Sequence, residues 1–376
     1  MKPIVHFILL FAIILLVSSC TPKPIDMLTG INPNGSCYRE FSEAPDSMFL
    51  MGDKSEKHNP FPVFIDSTWQ ISWTFGDSKS RTDFPLSKAT FDSISKNKSQ
   101  QSKENIVVRI RRNYQSVEEL DSLFRLKKAN DWGKVKVKHS LEKKIRWFYT
   151  YYTYKETYKK LKLDFDIPVE KYMTKEEAQF WFTGKPEILK GMNGLEIREY
   201  VGKIEDNYNK WVVRNLWNEE FKVVLKNYDS LSKKPVPKEE LRTLNDSIYN
   251  SKINNSMDFD IIKVLNTYFK TNAFSMLSAK GNSPLKKFEE DTNLEFAFFF
   301  SQAINYKLCL PGDIIQANNA VVVGEVLTWK LTPQRLIPDD YILEAQSRKA
   351  NVWAFILTGL IVIVALGSFF WKPWKR

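Results

Sequence analysis

Histidine, cysteine and glycine are scarce in this chain of 376 residues, which contains 3, 3 and 14 of them. Zinc sites and His-based catalytic triads need clusters of His and Cys that so few residues hardly supply. His6 lies in an apolar N-terminal run, and we expect His58 and His139, which belong to no recognisable motif, to be surface residues. The few glycines form no phosphate-binding loop and no Gly-x-Ser-x-Gly elbow. We therefore predict no catalytic residue, no metal site and no cofactor, while an enzyme using Asp, Glu and Lys chemistry stays open.

The N-terminal 20 residues have the pattern of an export signal. Lys2 precedes an apolar run that ends in the motif Val17-Ser18-Ser19-Cys20. A run this short is typical of a secretory signal peptide, which we place at residues 1–19. The motif resembles the bacterial lipobox, and this resemblance implies that Cys20 becomes the lipidated N-terminus, with a tether over 20–34. An ordinary signal peptide with a coincidental Cys is the alternative.

A second uncharged run lies near the C-terminus, over residues 352–371. Basic residues flank it at Arg348-Lys349 and in 372–376, and Trp353 and Trp371 stand near its two ends. Twenty apolar residues in a helix match a hydrocarbon core of ~30 Å, and aromatic residues are enriched at its boundaries. We predict a transmembrane helix at 352–371 with a cytoplasmic tail at 372–376, a buried soluble helix being the alternative.

The two ends together predict a compartment and a class of partner. Residues 21–351 would form a periplasmic ectodomain, outside the cytoplasmic (inner) membrane and attached to it at both ends. The whole chain has 55 Lys+Arg, 44 Asp+Glu, a net charge of +11 and 14% aromatic residues, which alone would suit a nucleic-acid binder. Without Lys2, Lys372, Lys375 and Arg376, 51 basic and 44 acidic residues leave a net charge of +7. This excess suits an anionic lipid or glycolipid surface, and we predict no nucleic-acid partner.

Strand-like and helix-like patterns alternate along the ectodomain. Residues 35–172 are rich in β-branched and aromatic residues, and strand patterns return in 294–350 as a closing β-hairpin region. Between them, 173–293 is helical, beginning with a capping box at Thr174-Lys175-Glu176-Glu177. We predict an α+β fold, an antiparallel sheet domain with a helical insertion, because strands on both sides of the helices need each other to bury their faces.

Short motifs near the two ends of the ectodomain carry a family resemblance. They are Asn34-Gly35-Ser36, the predicted turn Leu310-Pro311-Gly312, Asn318-Asn319-Ala320 and Gly324-Glu325-Val326-Leu327-Thr328-Trp329. Together with the anchor layout they resemble the LppM-like bacterial lipoproteins, in which such motifs close a small α+β domain between a lipobox and a C-terminal span. The resemblance implies an envelope-facing binding or structural domain that contacts lipid or glycolipid, and it implies no enzyme.

Two thiols remain once Cys20 is lipidated, those of Cys37 and Cys309. An oxidising compartment allows them to pair. The bridge would join the two ends of the ectodomain, and a loop of that length gives a model stabilisation of ~4–5 kcal/mol. Two unpaired buried thiols are the alternative, and the sequence leaves both open.

Basic side chains follow one parity of the longest strand candidate, Lys134 to Tyr158. Alternate residues of a strand share a face, so these side chains could meet anionic head groups, each contributing ~1 kcal/mol near a lipid surface. A solvated sheet face is the alternative. The predicted anionic-surface site, with two residues from a neighbouring strand, comprises Arg109, Arg111, Lys134, Lys136, Lys138, Lys144 and Arg146.

The tripeptide Asp-Ser-aliphatic recurs five times. It resembles the O-glycosylation acceptor of Bacteroidota envelope proteins, and this resemblance implies glycans on the serines. Asp-Ser pairs are also common at turns and helix caps, which is the alternative. The serines are Ser47, Ser93, Ser122, Ser230 and Ser247.

These observations predict a non-enzymatic envelope lipoprotein, anchored in the cytoplasmic membrane at both ends, whose ectodomain binds lipid, glycolipid or an envelope protein. The alternative is a structural subunit of a membrane-associated assembly that uses the helical insertion as its interface. Dependence on lipid would favour the first function, and a co-purifying protein would favour the second.

Overall fold

A computed structural model of the chain describes residues 24–75, 86–97, 106–123, 132, 135–161, 165–253, 259–278, 283–288 and 303–370. The chain divides into two compact units. The first unit combines Met1–Lys159, Ser301–Thr332 and Asp340–Arg376, and the second combines Lys160–Phe300 and Pro333–Asp339. The predicted signal peptide, Cys20 and the predicted tail at 372–376 lie outside the described residues.

The first unit contains two β-sheets, in a fold of the α+β class. One sheet has seven strands in the order β3-β4-β2-β1-β7-β10-β9, and the other has four in the order β5-β6-β11-β8. Neighbours pair antiparallel except β1 and β7, which are parallel. The strands are β1 (Ile25–Ile31), β2 (Cys37–Glu43), β3 (Gln70–Phe75), β4 (Ile106–Tyr114), β5 (Val137–Ile145), β6 (Tyr149–Tyr158), β7 (Ile304–Cys309), β8 (Asp313–Ala317), β9 (Val321–Val323), β10 (Val326–Leu331) and β11 (Tyr341–Ala350).

The two sheets bury one face each against a shared interior. Every second residue of β6 is buried, from Thr150 to Tyr158, and β7 alternates in the same way. The Tyr306 hydroxyl of β7 donates to the Tyr154 hydroxyl of β6 at 3.2 Å, which joins the two buried faces. The period of two in these sequences therefore separates an interior side from a solvent side in each sheet.

Helices lie in both units, and among the described residues the second unit has more of them. The helices of the first unit are α1 (Ser47–Leu50), α2 (Lys88–Asn97), α3 (Glu119–Leu123) and α9 (Val352–Phe370). Those of the second are α4 (Lys175–Thr183), α5 (Gly194–Asn227), α6 (Lys238–Thr243), α7 (Asn245–Lys252) and α8 (Ile261–Tyr268), with a further short helix at 284–288. Short 3₁₀ turns occupy Val169–Lys171, Pro186–Leu189, Tyr228–Ser230, Ala273–Ser278 and Pro333–Leu336.

The capping box predicted at Thr174 is confirmed. The Thr174 hydroxyl accepts from the Glu177 backbone N–H, and the Glu177 carboxylate accepts from the Thr174 N–H at 2.8 Å, so two otherwise unpaired donors at the start of α4 are satisfied. The same reciprocal pair, Asn193 with Glu196, begins α5. Buried side chains of α5, among them Trp217 and Phe221, then organise the core of the second unit.

The predicted transmembrane helix at 352–371 is wrong, and with it that part of the predicted fold class. Within the described part of the chain, no helix is long and apolar enough to cross a membrane. A helix does form, as α9, over the 19 residues from Val352 to Phe370. At 1.5 Å per residue this helix measures about 28 Å, slightly less than a hydrocarbon core of ~30 Å.

Two other predicted segments have a different structure. Residues 25–31, which we expected within a solvated tether, form β1 near the middle of the seven-stranded sheet, because Met27 and Ile31 are buried between the sheets. The long strand candidate from Lys134 to Tyr158 is a hairpin of β5 and β6, closed where the Arg146 N–H donates to the Tyr149 carbonyl at 2.8 Å. The apolar residues at alternate positions continue through Trp147 and Tyr149, which concealed this turn.

Leu310-Pro311-Gly312 is a turn, as predicted, but it does not close a hairpin. It carries the chain from β7 in the seven-stranded sheet to β8 at the edge of the four-stranded sheet. Gly312 has φ +79°, and a Cβ there would lie 2.8 Å from the Lys349 Cα, so β11 crosses closely over the turn. Glycine satisfies both the backbone angle and the close approach.

Candidate functional site

The tip of the β5–β6 hairpin packs against the beginning of helix α9 through aromatic side chains. The Trp147 and Trp353 rings meet edge to face at 5.4 Å between centroids, and the Phe148 and Phe355 rings lie 4.8 Å apart. The Trp147 indole N–H donates to the Thr358 hydroxyl at 2.9 Å. We call Trp147, Phe148 and helix α9 the apolar tip.

Asn351 fixes the apolar tip to the sheet. Its amide nitrogen donates to the carbonyls of Arg146 (2.7 Å) and Trp147 (3.1 Å), and its amide oxygen accepts from the Thr150 hydroxyl at 2.8 Å. Its backbone N–H donates to the Phe148 carbonyl at 2.8 Å. One side chain therefore determines how helix α9 leaves β11.

Large apolar side chains of the apolar tip are exposed. Trp147 is 49% exposed and Phe148 38%, although both are partly covered by α9. Along α9 the exposed large apolar residues are Val352, Trp353, Phe355, Ile356, Leu357, Leu360, Ile361, Val362, Ile363, Val364 and Leu366. A helix that is apolar around its circumference needs an apolar partner to cover it.

Cations surround the base of the apolar tip. The Arg146 guanidinium lies 5.2 Å from the centre of the Tyr151 ring, and that of Arg348 lies 4.9 Å from the Tyr149 ring. Lys143 and Lys349 are exposed nearby on β5 and β11. We call Lys143, Arg146, Arg348 and Lys349 the cationic collar. Its members lie on β5, β11 and the hairpin turn, next to the apolar tip along the chain.

The predicted anionic-surface residues are only partly brought together. Lys138 and Lys144 lie on the outer face of β5, Lys136 precedes that strand, and Arg146 belongs to the collar. Lys144 pairs with Glu142 at 2.7 Å, so the basic row is interrupted by an acid on the same face. Lys134 lies outside the described residues.

Arg109 and Arg111 are not joined to that row, because β4 belongs to the seven-stranded sheet. Both approach the buried Glu40 carboxylate, with Arg111 Nη2 at 2.8 Å and Arg109 Nε at 3.8 Å. The Arg111 guanidinium also lies 4.0 Å from the centre of the Tyr38 ring. These two arginines therefore neutralise a buried acid of their own sheet.

A buried polar cluster between the sheets was not predicted. Arg39 Nη2 of β2 donates to Glu156 Oε2 of β6 at 2.9 Å, and both side chains are almost fully buried. The Glu156 carboxylate also accepts from the hydroxyls of Tyr154 and Tyr158, each at 2.7 Å. We call these four residues, with His139, the interior ion cluster.

His139 is 3% exposed, so the prediction of a surface residue is wrong. Its Nδ1 lies 2.6 Å from Asp121 Oδ1 and its Nε2 3.3 Å from Glu156 Oε1. His58, in contrast, is partly exposed, and its Nδ1 lies 3.2 Å from Asp46 Oδ2. The one signal for a buried His139 is its parity, because it alternates with the basic residues of β5 rather than joining them.

The charges of the interior ion cluster are held in place by each other. Burial by itself raises the pKa of Glu156. The neighbouring Arg39, and after it His139, lower this pKa by more, so it lies well below its usual range. Burial and the neighbouring Glu156 charge raise the pKa of Tyr154 and Tyr158 well above their usual range. Each Glu156 oxygen accepts hydrogen bonds, which is the satisfied arrangement a buried carboxylate needs. The cluster therefore joins the two sheets through a buried ion pair whose carboxylate is fully hydrogen-bonded.

Cys37 and Cys309 are both free in the structure. Their strands are separated by β1, with Cys37 opposite Ile31 and Cys309 opposite Gly30. Two strand spacings are about 10 Å, whereas the Cα atoms of a disulfide lie within about 7 Å. Cys37 shares its parity with the buried Arg39 and Phe41 of β2, whereas Cys309 shares its parity with half-buried residues of β7. The thiols therefore also point to opposite faces of the sheet.

We therefore expect no disulfide in the Cys20→Ala chain. Alkylation in denaturant without reductant should modify two thiols, and reductant should add no more. In the native chain Cys37 should react far more slowly than Cys309, because burial raises the pKa of its thiol to about 12. Intact-mass measurement checks both statements, and thiols that appear only after reduction would contradict the first.

The five serines of the Asp-Ser-aliphatic pattern are all exposed. The aliphatic residues after two of them, Leu231 and Ile248, are buried, as expected where a helix turns one face inward. Asp46 is the N-cap of α1, and Asp121 holds His139. Glycosylation of the serines stays a prediction.

No family model, no curated protein and no solved structure matches this chain. The resemblance to LppM-like lipoproteins and the lipidation of Cys20 therefore remain predictions.

Proposed function

We propose that the protein is a non-enzymatic envelope lipoprotein whose apolar tip and cationic collar bind an anionic lipid surface. In this proposal Cys20 carries a lipid, and the described units lie outside the cytoplasmic membrane. Helix α9 need not cross the bilayer, because the acyl chains of one leaflet can cover its apolar side chains. The observation that carries the proposal is the set of exposed apolar side chains of α9, with a ring of cations at its base.

Lipid is the favoured partner because the order of side chains matches a membrane boundary. Acyl chains would cover the apolar residues of α9, while Trp147 and Trp353 lie near its beginning, where amphipathic rings meet lipid head groups. The collar follows at the next level, and each cation near an anionic surface contributes ~1 kcal/mol. A protein partner would not require that sequence of apolar, aromatic and cationic layers.

The helical unit gives less support to the alternative function as an assembly subunit. Its large apolar side chains are packed in two clusters of its own, one around Trp217 and Phe221 and one around Ile204 and Trp211. Over its described residues, the exposed large apolar side chains are Leu195 and Met276. Two separated side chains make a small interface, so we favour the lipid-binding function.

Charge reversal in the collar should weaken binding to anionic vesicles. The full chain carrying Cys20→Ala, which removes the acyl group, is sedimented with vesicles of zwitterionic lipid with and without anionic lipid. Arg146→Glu with Lys349→Glu should reduce the anionic-lipid affinity by roughly 30-fold, since two contributions of ~1 kcal/mol are lost.

Lys330→Glu is the matched control, because it reverses an exposed cation on β10 of the other sheet. This variant should bind as the parent does. The proposed function would be overturned if the affinity for vesicles changed neither with anionic lipid nor with the collar substitutions.

A further inference from the structure

The outer face of the four-stranded sheet contains a small polar pocket. Its volume is about 190 Å³. Liquid water occupies about 30 Å³ per molecule, so this space holds about six waters, which suits one monosaccharide ring rather than a drug-sized ligand. The lining residues are Thr153, Gln316, Asn318, Glu344, Ala345 and Gln346.

The lining residues belong to three neighbouring strands, β6, β8 and β11, and to the turn that follows β8. Gln316 of β8 lies directly opposite Gln346 of β11, which lies directly opposite Thr153 of β6. A β-bulge follows Gln346, and such bulges redirect side chains at binding sites. The polar groups therefore converge on one point of an otherwise regular sheet.

Hydrogen bonds fix the polar groups of the pocket in position. Gln346 Nε2 donates to the Thr153 hydroxyl at 3.1 Å. Asn318 donates through Nδ2 to the Ile342 carbonyl at 2.6 Å and accepts through Oδ1 from the Glu344 N–H at 2.8 Å. The amide of Gln346 still has a carbonyl oxygen and a second N–H to offer. Such preorganised amides reduce the entropic cost of binding.

The charge of the pocket indicates an uncharged ligand. Its one ionisable side chain, Glu344, pairs with Lys155 at 3.2 Å, so the local charges balance. Amides and hydroxyls can both donate and accept, as a polyhydroxylated ring requires.

We propose that this pocket binds a neutral monosaccharide unit, held by the amides of Gln316 and Gln346 and by the Glu344 carboxylate. The unit could belong to a free glycan or to the head group of a glycolipid, and the chemistry of recognition is the same. The proposal goes beyond lipid attachment and does not depend on it, because the pocket and the apolar tip use different residues.

The test measures binding of sugars to the full chain carrying Cys20→Ala. The probes are methyl α-glucoside, methyl α-galactoside, methyl α-mannoside and N-acetylglucosamine. Their binding is measured by saturation-transfer NMR and by calorimetry. We expect saturable binding of at least one probe, weakened about 3- to 10-fold by Gln316→Ala and by Gln346→Ala, as the loss of one hydrogen bond predicts. Ser140→Ala, an exposed change on the outer face of β5, is the matched control and should leave affinity unchanged.

Vesicles carrying a neutral glycolipid distinguish the two sources of the sugar. If the source is a glycolipid, Gln316→Ala should weaken binding to these vesicles and leave binding to plain anionic vesicles unchanged. Binding of the soluble glycosides alone would assign a free glycan. The proposal is overturned if no probe and no glycolipid binds, or if both glutamine variants bind like the parent while keeping its melting temperature. Either result leaves the collar experiment unaffected.

Discussion

Replacing Arg39 with methionine should lower the free energy of unfolding by about 3–5 kcal/mol, because it leaves the Glu156 carboxylate buried without its cation. The tyrosine hydroxyls and His139 would still contact the carboxylate, but the guanidinium of Arg39 would be lost. Urea unfolding of the full chain, followed by tryptophan fluorescence, measures the change. A loss below about 1 kcal/mol would contradict the assigned role of the ion pair.

The double variant Arg39→Met with Glu156→Leu separates charge burial from general disruption. Removing both charges should recover much of the lost stability, because no uncompensated ion remains. The double variant should also lose the part of the acid sensitivity that Glu156 contributes. In the parent, the lowered pKa of Glu156 adds stability above the unfolded-state value near ~4.3, and this stability is lost as the pH falls toward the folded-state pKa. Arg242→Met, which removes an exposed pair with Glu239, is the control and should cost less than about 1 kcal/mol.

Gly312→Ala should destabilise the first unit by about 3 kcal/mol or more. A left-handed backbone costs a non-glycine residue ~1–2 kcal/mol, and forcing an atom into a packed region costs a further ~1–3 kcal/mol. Here the new Cβ would meet the Arg348 carbonyl and lie 2.8 Å from the Lys349 Cα, and both neighbours are backbone that cannot rotate away.

Gly324→Ala is the matched control for this prediction. Gly324 also has a positive φ, +63°, but a Cβ there meets nothing within 4 Å. It should therefore cost only the conformational part, about 1–2 kcal/mol. Chemical denaturation of both variants gives the comparison, and equal losses would show that the close approach of β11 contributes nothing.

Local chemistry in the sequence predicted local structure well. The capping box at Thr174 needs only residues three apart, and the turn at Leu310-Pro311-Gly312 needs only its own backbone preferences. The same information could not reveal that the turn changes sheets. Residues 25–31 were also misjudged, because a short strand beside a Pro-containing segment has no local feature that distinguishes it from a tether.

The candidate sites depend on pairings between distant residues, which periodicity does not encode. A period of two shows that His139 and Glu156 share the buried side of their hairpin, but it does not identify Arg39, 117 residues away from Glu156, as their partner. Trp147 and Thr358 meet across 211 residues. Their contact turns a strand candidate and an apolar run into one surface, and neither segment predicts the other.

The parallel pairing of β1 with β7 has a consequence for biosynthesis. The Asn305 amide donates to the Asp26 carboxylate at 3.1 Å across 279 residues, so one edge of β1 stays unpaired until β7 has been made. Pairings of such long range slow folding, and open strand edges invite association with other chains. The N-terminal strands of a nascent chain therefore lack this partner strand until residues 160–300 of the second unit have been synthesised. Chains truncated before residue 304 should accumulate as aggregates or be degraded, even though most of the sequence is already present.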